Sequence, residues 1–201
     1  MAATNPLGDI ELTDPQSMRA LAHPVRLAIM SRLQRFGPAT ASELSPHVGA
    51  TPSVTSWHMR HLAGFGLVRD AAPGEDRRTR RWEAAGRGYR FAVPPGDENS
   101  EGVAAARLLS QLVFAQNASV PQEWSADVEP QLTGPWRQVA GVSNTRVVVS
   151  AEEAEAINDS VEAILAPFVV REPGDRPDGA RGVRVLRYLL PEAEDDPTEP
   201  A

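Results

Sequence analysis

A chain of 201 residues is the size of one compact domain or two small ones, which excludes repeat arrays and very large enzymes. At 41% hydrophobic residues a core can form, and the absence of Cys excludes disulfides, thiolate metal sites and a cysteine nucleophile. The formal charge of -7 is unevenly spread: residues 15–90 carry 12 Arg against 5 acids, while 1–14 hold three acids and no Arg, and 91–201 hold 8 Arg against 19 acids.

A basic block inside an acidic protein is the electrostatic footprint of a local polyanion site, although solvated faces alone can also produce such a split. No run approaches the roughly 18 apolar residues of a membrane helix, and MAATNPLGDIELTDPQS has neither the basic nor the apolar region of a signal peptide. A soluble, cytoplasmic protein is expected.

Residues 1–14 read as an N-terminal arm. Asp14-Pro15 is a helix-start signal, and a short helix over Gln16 to Ala22 follows until Pro24 interrupts it. Pro24 opens PVRLAIMSRLQRF, whose Val25, Leu27, Ile29, Met30 and Leu33 recur mostly at three- and four-residue intervals. Thr40 and Glu43 form a capping box before ASELSPHVG, a short helix ending near Gly49. Thr51-Pro52 launches a longer helix, SVTSWHMRHLAGF, with Val54, Trp57, His58, His61, Leu62 and Phe65 along one face. Leu67 to Asp70 and RRTRRWEAA then read as two strands of a hairpin, with Arg77, Arg78, Arg80 and Arg81 at or beyond its tip.

Val93 to Asn99 reads as a linker between a domain over 15–92 and a region over 100–190. The latter opens with a helix from Ser100 to about Ala118, where Leu108, Leu109, Leu112 and Val113 cover more than one stripe; it is either a dimer seam or a core helix with two partners. Residues 119–141 read as loop and short helix. Thr145 to Val149 is expected as a strand, 151–166 as a helix capped by Ser150 and Glu153 with Ala154, Ile157, Val161, Ile164 and Leu165 inward, and Val183 to Leu190 as a final strand. Residues 191–201 form an acidic tail. The expected fold class is α+β, mainly helical: a winged helix-turn-helix followed by a helix and a small β-α-β dimerisation or sensor region.

Helix, capped short helix, turn, longer helix and basic hairpin suit DNA physically. The major groove admits one helix, a second braces it, and a basic hairpin reaches neighbouring phosphate or minor groove. The stretches ALAHPVRLAIMSRL (20–33), TASELSPHVGA (40–50), TPSVTSWHMRHLAGFGLV (51–68) and GEDRRTRRWEAA (74–85) resemble the ArsR-type winged-helix transcriptional regulators. The resemblance implies a homodimeric repressor on operator DNA, with Thr51, Ser53, Thr55, Ser56 and Trp57 facing bases and Arg60 on phosphate. The periodicity agrees, leaving mostly these positions outward once Val54, His58, Leu62 and Phe65 are turned inward.

The chain departs from the metal- and arsenite-sensing members of that family, having no Cys and all four His within 23–61. No metal or cofactor is expected. His58 and His61 are spaced to share a ligand, but packing or DNA contact is the simpler role for both. Trp124, Leu132 and Trp136 are candidates for an apolar effector pocket, or for ordinary packing. No phosphate-cradling glycine loop or nucleophile motif supports an enzyme. The alternatives to a repressor are an activator on the same kind of site and a protein-interaction module that uses the winged helix as scaffold.

Overall fold

The computed structural model describes residues 5–72, 79–98, 100–169 and 173–192, and the chain divides into two units, 1–144 and 145–201. Three of its helices begin at a proline preceded by a capping side chain. In α1 (Pro15–Leu21) the Asp14 carboxylate accepts from the Ser17 N–H, 2.8 Å away. At α2 (Pro24–Phe36) the Val25 N–H donates to Nδ1 of His23 at 3.1 Å, and at α4 (Pro52–Gly64) the Val54 N–H donates to the Thr51 hydroxyl. Proline lacks the N–H that a first helical turn leaves unpaired, so cap and proline together settle the start.

Between α2 and α4 lies α3 (Ala41–Val48), opened by the reciprocal Thr40–Glu43 box. It ends at Gly49, whose φ of 66° is the left-handed conformation that glycine adopts without a Cβ clash. Helices α2, α3 and α4 pack around Leu27, Ile29, Met30, Leu44, Met59 and Leu62, all at or below 3% exposure.

The expected hairpin is present as β2 (Val68–Asp70) antiparallel to β3 (Trp82–Ala84), with Val68 opposite Ala84 and Asp70 opposite Trp82. The loop-side end of its ladder is tied inward, since Ala39 and Trp82 exchange both backbone hydrogen bonds at 2.8 and 2.9 Å. A second ladder was not expected from the sequence. Within the segment read as an arm, β1 (Ile10–Glu11) runs parallel to β4 (Tyr89–Arg90). That approach requires glycine: a Cβ on Gly86 would stand 2.6 Å from Cγ1 of Ile10 and 2.8 Å from the Gly8 carbonyl.

Residues 93–98 connect to α5 (Glu101–Asn117), which lies against α1 and buries Val103, Ala105, Ala106 and Leu109. The core of the helix-turn-helix therefore continues past the segment read as a linker. After α5 come α6 (Ser119–Asp127), a 3-10 turn (Glu129–Gln131) and α7 (Pro135–Val139).

The second unit contains α8 (Ala151–Val169), whose Ser150–Glu153 capping box is formed as read. The two flanking strands are not: residues 145–149 and 183–190 carry no β-ladder. Their β-branched, aromatic and other apolar residues suit a strand, but composition supplies no partner, and pairing is a tertiary property. Ile157 and Ile164, expected inward on α8, are 42% and 66% exposed, while Glu162 is buried and lies 3.6 Å from Arg187.

Candidate nucleic-acid interface

The turn at Gly49 sets α4 beside α3, and the phase of α4 decides what it offers to solvent. Thr55, His58, Met59 and Leu62 face the core, a spacing of three and four residues fixed by Met59 and Leu62 at 0% exposure. Ser53, Val54, Trp57 and Arg60 point outward, with Ser56 half-buried at the edge.

Two expectations change as a result. Thr55, expected to face bases, is 0% exposed, and its hydroxyl has no hydrogen-bond partner. Val54, expected inward, is 45% exposed. The signal was available in the sequence, because position 55 lies four before Met59 and seven before Leu62; residue polarity at 54 and 55 pointed the other way. Thr51 is exposed at the helix entrance with its hydroxyl engaged as the cap.

An aromatic row runs beside this face. The Trp57 ring stacks on His61 at 5.7 Å and meets His58 edge-on at 4.8 Å, and His61 in turn touches Phe65. Burial holds the His23, His58 and His61 imidazoles below the ordinary histidine range, with the Arg26 cation adding to it in each case. His58 therefore packs against His23 and Trp57, and His61 beneath Trp57. Among the described residues, no three His, Cys, Asp or Glu side chains gather as a metal site.

Arg60 directs Nε to the Ser56 carbonyl, 3.3 Å away, and lies along its own helix. On the hairpin, Arg80 donates twice to Asp70, at 2.6 and 3.0 Å, with its guanidinium 3.9 Å over the Trp82 ring. The pairing holds the Asp70 carboxyl below its usual range and raises Arg80. Arg81 donates to the Pro38 carbonyl and to Glu43 at 3.5 Å, fastening the wing to the start of α3. Arg77 and Arg78 lie outside the described residues.

Of the residues read as a dimer seam, Leu109 is fully buried in the chain's own core, Leu112 and Val113 are half-buried at its edge, and Leu108 is 45% exposed. Leu109 is therefore unavailable to another chain. Of the three candidate effector residues, Leu132 lines a cleft of about 420 Å³ with Glu129, Pro130, Arg137 and Ala140. No helix among the described residues is long and apolar enough to cross a membrane.

Residues 21–71, under half of the chain, match a family described as a helix-turn-helix domain. No curated protein matches the chain. Among solved structures, Lactococcus lactis ZitR (C30AH42A mutant, apo form) is 14% identical over 77% of this chain and 83% of its own, with a TM-score of 0.30. A MarR family regulator from Neisseria meningitidis, NMB1585, is 16% identical over 75% and 77%, with a TM-score of 0.27. The E41A mutant of ZitR is 12% identical over 84% and 82%, at 0.29. The matched segment runs from the end of α1 through β2, taking in α2, the bracing α3, the Gly49 turn and α4. With the β2–β3 hairpin behind it, this part of the chain is a winged helix-turn-helix domain.

Proposed function

We propose that the chain is a sequence-specific, homodimeric transcriptional regulator that represses by occupying promoter DNA, in the manner of ArsR-type proteins but without Cys-based metal sensing. The observation that carries this is α4. It presents Ser53, Trp57 and Arg60 outward with Ser56 at the edge of that face, and a basic hairpin follows it. An α-helix presented in this way fits the major groove, and the Arg-rich block supplies attraction to phosphate. A symmetric dimer would read two half-sites about one helical turn, or a multiple of it, apart. The exposed Leu108 side of α5 is the surface assigned to that pairing, and an effector would act by changing the spacing of the two α4 helices.

The test is retention of a genomic DNA pool at two salt concentrations, followed by sequencing of what remains bound. Enrichment of one pseudo-palindromic site, weakened by Ser53→Ala with Ser56→Ala, supports the reading. Binding that disappears by physiological salt with nothing enriched removes it, and leaves the winged helix as a scaffold for protein contacts. Placing the enriched site before a reporter gene separates repression from activation.

A further inference from the structure

The outward face of α4 has an unusual chemistry for a helix that reads DNA, and the argument rests on the DNA-binding reading above. Bases are distinguished in the major groove mainly by bidentate amide or guanidinium groups and by carboxylates. From Pro52 to Trp57 the helix presents none of these: its outward side chains are Ser53, Val54 and Trp57, with Ser56 at the edge. A serine hydroxyl both donates and accepts, so it discriminates weakly between base edges. Arg60, one turn further on, is laid along the helix toward Ser56.

The groups that this first part of α4 offers for discrimination are then the apolar ones, Val54 at 45% exposure and Trp57 at 56%. Both are held in place before any partner arrives. A β-branched valine in a helix has essentially one rotamer, and the Trp57 ring is stacked on His61. The surrounding charge, 12 Arg against 5 acids over residues 15–90, suits a polyanion as the occupant of this face. The apolar group that a base pair displays in the major groove is the methyl on C5 of a pyrimidine.

We propose that Val54 and Trp57 are specificity-determining residues that read pyrimidine C5-methyl groups, so that each half-site carries thymine where these two side chains meet the groove. Thymine and 5-methylcytosine share that methyl, and it lies at the same place in the groove in both. Identity of the methyl, rather than of the base, sets the preference at these positions.

The experiment uses the full chain and the site enriched from random duplex DNA. Replacing a half-site thymine by deoxyuridine removes the methyl alone, and affinity should fall about fourfold for each methyl that is buried. Placing 5-methylcytosine opposite guanine at the same position should bind about fourfold tighter than cytosine there. With Val54→Ala, one thymine position in each half-site should lose its sensitivity to deoxyuridine while the others keep theirs, which locates the contact by a double-mutant cycle. An enriched site whose deoxyuridine form binds equally well overturns the proposal and leaves the regulator reading intact. Failure to enrich any site overturns both.

Discussion

The imidazole of His23 lies 4.6 Å from that of His58, the two rings tilted by 43°. One caps α2 and the other sits on the buried side of α4, so the contact joins the starting point of the core helix to the helix that faces outward. Nδ1 of His23 accepts the Val25 N–H and must carry no proton to do so.

Acid should therefore loosen this joint. Burial depresses the His23, His58 and His61 imidazoles in the folded chain, whereas in the unfolded chain they titrate near the ordinary value of about 6.5. Below that pH the unfolded state binds more protons, so the stability present above about 6.5 is lost as pH falls through the lower folded values. Denaturant midpoints should drop between about pH 7.5 and about pH 5.5. His23→Asn, which keeps a capping oxygen and removes one titrating ring, should drop less. A wild-type midpoint that stays level over that range contradicts the account.

Thr55 supplies a second expectation, since its hydroxyl is buried without a partner. Thr55→Val keeps the shape and removes the unpaired group, and should stabilise the fold by about 1 kcal/mol in urea unfolding with DNA affinity unchanged. A loss of DNA affinity with the fold intact would return Thr55 to the binding face.

The wing holds its arginines in reserve. Arg80 is clasped by Asp70 and lies on Trp82, so part of its charge is spent within the chain. Arg80→Ala should weaken binding to all sequences alike and lower the salt slope by about one, whereas Asp70→Ala should release the guanidinium and strengthen binding. Equal salt slopes for wild type and Arg80→Ala would show that Arg80 touches no phosphate.

Leu108 and Leu109 should separate pairing from folding, although they are neighbours on α5. Leu109→Asp places a carboxylate in the core and should cost about 3 kcal/mol or more of stability. Leu108→Asp should fold normally and sediment as a monomer. A folded Leu108→Asp protein that still sediments as a dimer places the seam elsewhere.

A chain stopped after residue 92 keeps every element of the helix-turn-helix yet lacks α5. Without Val103, Ala105, Ala106 and Leu109 to cover it, the apolar side of α1 is left in water. Such a fragment should melt well below the full chain by circular dichroism, and equal melting would show that α5 is dispensable.

How much of this was legible in the sequence follows from the range of each interaction. The caps at Asp14, Thr40, Thr51 and Ser150 act over three residues, so local spelling was enough to find them. The phase of α4 was written in the spacing of Thr55, Met59 and Leu62, but the apolar side chain of Val54 and the hydroxyl of Thr55 both pointed the other way. The pairing of Ile10–Glu11 with Tyr89–Arg90 joins two-residue strands from opposite ends of the domain, too short for any periodicity. The apolar segments at 145–149 and 183–190 show the converse, a local preference that no ladder fulfils.

The stitching of β1 to β4 and of α1 to α5 also sets an order in time. The segments made first during synthesis, Ile10–Glu11 and Pro15–Leu21, find their partners only when Tyr89–Arg90 and then Glu101–Asn117 have left the ribosome. A nascent chain can assemble α2, α3 and α4 from contacts close in sequence, but it holds them on an unfinished base. The helix-turn-helix is thus completed late and by its scaffold, so a half-made chain would carry α4 on a support that lacks both of its closing contacts.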